Sequence, residues 1–265
     1  MTDEHDDFGG LGCDLRSMSR RGMFGLMAKA AAGFALVPIV GGCTSDGSAT
    51  PDAATSACPA IPSETEGPYP GDGTNGPNLL AVSGVERRDI RTSIGTASGT
   101  ADGLEFTITL TLVDSATCAP LVGHAVYLWH CDRIGDYSMY TGAAESENYL
   151  RGVQVTDGSG VVTFTTIFPG CYSGRWPHMH FEVYASLGAA TTGAAKLAVS
   201  QLALPEATCD LIYATSGYEQ SVTNLAGTSL ASDGVFRDGS TLQVATVTGS
   251  IGANLTGALT IAITT

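Results

Sequence analysis

His178 and His180, two histidines one residue apart, are the pair in this sequence best suited to hold a metal ion. They lie in the run P-H-M-H-F, which is typical of a β-strand. Because residues i and i+2 of a strand point to the same face, both imidazoles are expected side by side. Imidazole pairs bind iron, zinc or copper, but the H-x-H pattern also occurs where no metal is bound.

Other side chains with useful chemistry surround this pair. Tyr172 and Arg175 precede it in a loop punctuated by glycine and proline, and Tyr137 follows an earlier predicted strand. A single tyrosine in such a place is more typical of packing than of catalysis. His130 and Asp132 form a second i, i+2 pair. Combined with the first pair, they would make a two-histidine, one-carboxylate iron(II) site or a zinc site.

The elements that position these residues are predicted to be mostly strands. In residues 104–112 apolar side chains alternate with Glu and Thr, the period-2 pattern of a strand with one buried face. The sequence D-G-S-G at 157–160 is typical of a hairpin turn between its flanking strands. We predict an all-β fold, a β-sandwich of about eight strands with long loops and little helix beyond residues 205–214. The predicted strands are residues 104–112, 124–130, 152–156, 161–167, 177–185, 196–204, 240–248 and 256–264.

The composition agrees with a β-rich globular protein. Charged residues make up only 14% of the chain, and the 34 glycines suit a fold with many turns. The formal net charge is −14. Phosphate backbones would be repelled by such a surface, so no nucleic-acid partner is expected.

The first 43 residues are predicted to be an export signal. Arg20 and Arg21 precede an apolar Ala/Gly-rich run that is too short and too interrupted for a membrane-spanning helix. The paired arginines resemble a twin-arginine signal, and the V-G-G-C ending at Cys43 resembles a lipoprotein signal. We therefore expect an exported protein, either a cell-envelope lipoprotein anchored through Cys43 or a secreted one. Residues 44–60 are predicted to be a flexible linker, and residues 61–265 one domain.

Cysteine usage fits an exported protein. Five cysteines follow the predicted signal, namely Cys58, Cys118, Cys131, Cys171 and Cys209. An oxidising compartment favours disulfides, and an odd count leaves at least one thiol free. No C-x-x-C pair occurs in the sequence, which disfavours a zinc ribbon or a thioredoxin-like redox site. Cys131 and Cys171 belong to the two segments that carry the tyrosines, so a bridge between them is one expectation.

Four motifs, taken together, resemble those of one enzyme family. Their order in the chain is V-Y-L-W-H-C-D-R-I-G-D-Y-S, R-G-V-Q-V-T-D, T-I-F-P-G-C-Y-S-G-R and P-H-M-H-F, with T-E-G-P-Y upstream. They are similar to the intradiol ring-cleavage dioxygenases, the group of protocatechuate 3,4-dioxygenase and catechol 1,2-dioxygenase. The resemblance covers roughly residues 58–250 and is more specific than the H-x-H pair alone.

This resemblance implies an iron(III) cofactor and a set of site residues. The implied metal ligands are Tyr137, Tyr172, His178 and His180. Tyr172 and His180 would be axial, and Tyr172 would also take up a proton from a catechol-type substrate as general base. Arg175 would stabilise negative charge on the ring, with Gln201 assisting through a hydrogen bond. O2 would then open the ring between its two hydroxylated carbons to give a muconate-type diacid.

The residue types suit that chemistry, because iron(III) is a hard cation that prefers anionic oxygen donors such as phenolates. Two alternatives stay open at this point. One is the histidine/carboxylate iron(II) or zinc enzyme described above. The other is a non-catalytic exported β-sandwich that only binds a ligand, since sandwiches carry many functions.

Overall fold

The first strand, β1 (Glu105–Asp114), shows how alternating residues build the fold. The side chains of Phe106, Ile108 and Leu110 are fully buried, while the threonines between them are half-buried. The buried face packs in one core cluster with Phe181 of another strand. Removing this apolar surface from water is the main stabilising contribution at the interface. The strand predicted at 104–112 is confirmed, with its boundaries shifted by one or two residues.

The computed structural model describes residues 58–265, which form eight strands in two sheets. The strands are β1, β2 (Ala125–Trp129), β3 (Arg151–Val155), β4 (Val161–Ile167), β5 (His178–Tyr184), β6 (Ala198–Ala203), β7 (Thr246–Ser250) and β8 (Ala253–Ile263). One sheet has the order β4-β1-β8-β7 and the other β3-β2-β5-β6. Strands β1 and β8 are parallel, and the other named pairs are antiparallel. The predicted all-β sandwich is therefore confirmed.

In residues 58–265 helix is scarce, but there is more of it than the single segment that the sequence predicts. The helices are α1 (Leu187–Thr191), α2 (Glu206–Tyr213) and α3 (Glu219–Ala226), with 3-10 turns at Gly142–Ala144 and Phe236–Asp238. Only α2 is predicted, at residues 205–214. Among residues 58–265, no helix is both long and apolar enough to cross a membrane. The predicted export signal, including Cys43, lies outside the described residues.

The predicted hairpin at 157–160 is wrong in its pairing, although the turn itself exists. The Asp157 N–H donates to Val161 O and the Gly160 N–H to Asp157 O. The strands on either side belong to different sheets, because β3 pairs with β2 while β4 pairs with β1. The turn therefore links the two layers at their edge. A period-2 pattern identifies a strand but does not identify its partner.

The strand predicted at 240–248 is wrong over its first half. Residues there form a turn in which the Gln243 N–H donates to Ser240 O, and β7 begins only at Thr246. Val244 makes a single bridge to Ala203 at the end of β6. This turn places Gln243 beside the edge strand β6, where its side chain is fully buried and its Nε2 donates to Gln201 O.

Among residues 58–265 there is one disulfide, and it is not the expected one. Cys58 and Cys118 are bridged, whereas Cys131, Cys171 and Cys209 are free and buried. A bridge between Cys131 and Cys171 is therefore wrong. Cys131 packs in the core cluster outside the second sheet, and Cys171 packs in the cluster between the sheets. Cys58, inside the predicted linker, is fixed by its bridge to the β1–β2 connection.

The second sheet is covered on both faces, and this double burial creates the site. Every residue of β2 and of β5 is buried. Met179, Phe181 and Val183 point into the core between the sheets, as their alternation predicts. The opposite face carries the histidines and is covered by long loops, including residues 64–85 and 131–150.

Candidate metal and substrate site

The two histidines lie side by side on the outer face of β5. His178 and His180 are only 2% and 3% exposed. The Nδ1–H of His178 pairs with Trp176 O, which leaves its Nε2 as a lone-pair acceptor. The His180 ring stacks on Trp129, with ring centroids 4.9 Å apart. Trp129 is the cross-strand neighbour of His180 in β2, so the sheet register itself orients this imidazole.

Tyr137 reaches the histidines from the loop that follows β2. The carboxylate of Asp132 fixes the start of this loop by accepting the N–H groups of Ile134 and Asp136. The N–H of Tyr137 donates to Thr141 Oγ1, which fixes the loop on the other side. This explains how an irregular segment can hold a ligand-type side chain in one place. The phenol ring is 2% exposed.

Tyr172 comes from a second loop, between β4 and β5, and glycines let the two loops meet. Gly135 has a φ of 100°, and a Cβ there would lie 2.9 Å from Cβ of Tyr172. A Cβ on Gly170 would lie 2.5 Å from Arg133 O. Glycine is required at Gly135 both for its backbone conformation and for the close approach. The closeness of the two tyrosines therefore depends on residues that have no side chain.

The four predicted ligand residues bring their donor atoms together. Tyr137 Oη lies 3.2 Å from His180 Nε2 and 3.4 Å from His178 Nε2. Tyr172 Oη lies 3.2 Å from His178 Nε2, and the two Nε2 atoms are 3.1 Å apart. Two phenol oxygens and two imidazole nitrogens thus face one small volume.

Burial controls the protonation of these groups. It lowers the pKa of His178 to about 3, and the charge of Arg175 adds to the effect. Burial also lowers the pKa of His180 well below its ordinary value, with further contributions from His178 and Arg175. The pKa of the Tyr137 phenol is raised well above its usual range by burial and by the neighbouring Tyr172. The imidazoles are therefore neutral lone-pair donors at neutral pH.

This donor set fits a ferric ion. Donor atoms that share a metal at about 2 Å lie roughly 3 Å from one another, which is the spacing of these four atoms. Two neutral imidazoles with facing lone pairs gain little from each other, whereas a cation between them would attract both. The same cation would favour the phenolate form of each tyrosine. Phenolate oxygen is the hard, anionic donor that iron(III) prefers.

The rival set of ligands is not assembled. Both ring nitrogens of His130 are engaged elsewhere, Nδ1 with Cys131 O and Nε2 with the Thr166 hydroxyl. Asp132 is occupied in fixing its own loop. A site made of these two residues and the β5 histidines is therefore not assembled, because His130 and Asp132 bond to other groups.

Arg175 and Gln201 lie together beside the four donor atoms. Gln201 is paired with His180 across the β5–β6 ladder and is fully buried. Its Oε1 accepts from Nη2 of Arg175 at 2.7 Å, and its Nε2 donates to Thr65 O at 2.9 Å. Burial opposes the charge of Arg175, but Tyr172 and Asp233 offset it and raise the pKa of the guanidinium. The residue therefore stays cationic in a buried place.

Asp233 is a member of this group that the sequence does not indicate. It is fully buried, and it accepts hydrogen bonds from the Arg175 side chain and the Trp176 N–H. Asp233 is 58 residues from Arg175 in the sequence, in a turn without any recognisable pattern. Only the tertiary structure brings the two together.

The segment 64–72 covers the site from outside. A Cβ on Gly67 would lie 3.1 Å from Cε1 of His180, and the ring of Tyr69 lies 5.1 Å from that of Tyr137. Lys196 fastens this segment to β5, because its ammonium contacts the carboxylates of Glu66, Asp72 and Glu182. The T-E-G-P-Y motif is thus part of the site wall.

Glu182 lies on the same face of β5 as the two histidines. It is fully buried, accepts from the Tyr184 hydroxyl at 2.6 Å and pairs with Lys196. Its partners belong to the fastening of the covering segment rather than to the four converging atoms.

Comparison with known proteins agrees with this geometry. The family model for dioxygenases matches residues 75–197. An intradiol ring-cleavage dioxygenase from Tetranychus urticae is 28% identical with a TM-score of 0.62, over 78% of this chain and 95% of that one. A 3-chlorocatechol 1,2-dioxygenase from Rhodococcus opacus 1CP shares the fold, with a TM-score of 0.51 at 16% identity over 79% of this chain and 75% of that one. No curated protein matches. By the family model and the solved structures together, this chain is similar to the intradiol ring-cleaving dioxygenases.

Proposed function

We propose that this protein is a non-haem iron(III) dioxygenase that cleaves catechol-type rings with O2 between the two hydroxylated carbons. The observation that carries the proposal is the convergence of two phenol oxygens and two imidazole nitrogens within 3.1–3.4 Å of their neighbours. The buried pair of Arg175 and Gln201 beside them supplies donors for a developing anion. Both atoms of O2 would enter the product, a muconate-type diacid.

The proposed metal ligands are Tyr137, Tyr172, His178 and His180. Bound iron(III) would supply the Lewis acid that favours the phenolate and catecholate forms and makes the ring reactive toward O2. Tyr172 is half-buried, unlike Tyr137, and is the tyrosine more open to an incoming substrate. Its Oη is the proposed acceptor of a substrate hydroxyl proton.

We assign Arg175 and Gln201 the role of stabilising negative charge on the substrate. The guanidinium of Arg175 keeps its charge in a buried environment, where an electrostatic interaction is stronger than in water. Gln201 holds one edge of that guanidinium through its Oε1. The two would stabilise negative charge on the ring as it reacts.

Oxygen uptake tests this proposal directly. The iron-loaded protein is expected to show a visible phenolate-to-iron absorption band that shifts on anaerobic addition of catechol. With O2 admitted, one O2 should be consumed for each catechol, and the product mass should equal substrate plus O2. A protein that retains iron but leaves catechol and its substituted analogues intact would contradict the proposal.

We also propose that the protein is exported and held at the cell envelope by lipid on Cys43, or secreted. The Cys58–Cys118 disulfide supports export, because such bridges persist in oxidising compartments. Cell fractionation with metabolic labelling by a fatty acid tests it. We expect the wild-type protein to carry the fatty-acid label and the Cys43→Ser variant to carry none. Unlabelled protein in the cytoplasm would contradict both export and anchoring.

A further inference from the structure

A buried carboxylate lies directly behind the guanidinium of Arg175. Asp233 Oδ2 accepts from Arg175 Nε at 2.9 Å, and its Oδ1 lies 3.5 Å from Nη2. The side chain of Asp233 is completely inaccessible to solvent, and that of Arg175 is 9% exposed. Charged pairs that are so well buried need good geometry and full hydrogen bonding to be tolerated.

The same carboxylate is fixed from behind by the backbone. Its Oδ1 accepts the N–H of Val235 at 2.8 Å and that of Phe236 at 3.1 Å, while Oδ2 accepts the N–H of Trp176 at 2.6 Å. Asp233 cannot turn away without breaking several of these bonds. It is therefore a rigid support for the guanidinium.

The guanidinium of Arg175 contacts two side chains through Nε and Nη2. Asp233 occupies Nε, and Gln201 occupies Nη2 from the other side. Neither of these two contacts uses Nη1. Because guanidinium is planar, fixing Nε and Nη2 also fixes the direction in which the Nη1 donors point. Nη1 belongs to the same guanidinium, whose charge interacts with Tyr172 and Tyr137.

Charge gives a second reason for this support. A metal cation among the four donor atoms would repel a neighbouring guanidinium, and the Gln201 amide carries no charge to counter that repulsion. A carboxylate behind Arg175 balances the repulsion and keeps the donors in the site.

We propose that Asp233 is the positioning residue of Arg175, holding the guanidinium where its Nη1 donors can meet a substrate anion. Asp233 itself does not touch the substrate. The inference rests on the proposed function for the role of Arg175, but the contact between the two side chains does not.

A double-mutant cycle on the iron-loaded enzyme tests the coupling. Asp233→Asn is expected to lower kcat by about 100-fold, with a smaller change in KM, because small misplacements of a charge-stabilising group are costly in the transition state. In an Arg175→Ala background the same change should have little further effect. Independent, multiplying losses in the double variant would overturn the proposal.

A second measurement uses the metal-free protein and needs no activity. The Nε–H signal of Arg175 in a nitrogen-15 NMR spectrum, assigned by its loss in Arg175→Ala, should be protected from exchange in the wild type. It should be exposed and shifted in Asp233→Asn. A signal that stays protected would overturn the proposal even if the enzyme proves to act on something other than catechols.

Two more variants separate positioning from folding. Asp238→Asn changes an exposed carboxylate on the same segment and should leave kcat and the Arg175 signal unchanged. Asp233→Glu keeps the charge and should retain part of kcat and part of the protection of the Arg175 Nε–H signal. This variant gives an answer even if Asp233→Asn does not fold. A Glu variant as inactive as Arg175→Ala, with its Nε–H signal still protected, would show that Asp233 serves the fold alone.

Discussion

Arg175 keeps its positive charge although it is buried in the site. Its pKa is raised, so it remains a cation throughout the working range of the protein. Arg175→Ala should lower kcat by roughly 10²–10³-fold, the usual loss for one donor aimed at a developing anion. Steady-state oxygen uptake measures this. Arg133→Ala, which removes an exposed ion pair with Asp102, is the control and should be almost fully active.

The two site tyrosines differ in exposure but are expected to share a spectroscopic signature. Tyr137→Phe and Tyr172→Phe should each alter the phenolate-to-iron absorption of the iron-loaded protein, because each removes one phenolate donor. Tyr213→Phe removes a buried hydroxyl that donates to Pro169 O, outside the group of four donors, and should leave the band in place. An unchanged band in both site variants would mean that neither phenol binds the metal.

Glu64 gives a pH-dependent prediction away from the four donor atoms. Burial raises the pKa of its carboxyl from 4.5 to about 7, aided by Asp238 and Asp233 and opposed by the Gln243 hydrogen bond and by Arg175. The folded protein thus binds this proton more tightly than the unfolded chain, so the group costs stability as pH rises from about 4.5 through 7.

Thermal unfolding of the metal-free protein between pH 4 and 8 measures this cost. The Tm of Glu64→Gln minus that of the wild type should grow across the interval and level off above pH 7. Taking the difference cancels the other titrating groups. A difference that does not depend on pH would contradict the raised pKa.

At the level of elements, the site depends on the meeting of two loops at Gly135. Its φ of 100° and the 2.9 Å approach to Tyr172 Cβ leave no room for a side chain. Gly135→Ala should cost about 1–3 kcal/mol of folding free energy and weaken iron binding, because Tyr172 must move. Gly158→Ala is the matched control, since a Cβ there meets nothing within 4 Å. Equal effects in both variants would show that the loop contact is unimportant.

The positions of strands were predictable, because they follow from the local alternation of residues. The pairing of strands was not, because it depends on residues far away in the sequence. Alternation located β1, β4 and β5 closely and placed His178 and His180 on one face. The predicted pairing of β3 with β4 was wrong, because β3 pairs with β2 in one sheet and β4 pairs with β1 in the other.

The same limit applies to the site. The four donor residues and Arg175 and Gln201 could be named because their motifs resemble a known family. Asp233 could not, since nothing in its turn marks the carboxylate that will face Arg175. The covering segment was visible only as the T-E-G-P-Y motif, and its fastening by Lys196 depends on three separate carboxylates.

At the level of the whole molecule, the Cys58–Cys118 bridge closes a loop of 60 residues. Closing a loop of that length in the unfolded chain stabilises the fold by about 4 kcal/mol in the chain-entropy model. The double variant Cys58→Ala/Cys118→Ala should therefore lose a comparable free energy of unfolding in denaturant titration. Reductant should destabilise the wild type and leave the double variant unchanged. Equal sensitivity to reductant would show that another thiol pair matters.

The parallel pairing of β1 with β8 sets the order of assembly. Residues 107–114 take their neighbours from residues 256–263, and β8 stands inside its sheet between β1 and β7. Until β8 is synthesised, one edge of β1 has open N–H and C=O groups and the interior of the sandwich stays incomplete. Folding of the sandwich must then wait until residues 256–263 have been made, and such long-range closure is slow. A nascent chain of this protein consequently exposes an open strand edge, which favours aggregation, until β8 has been made.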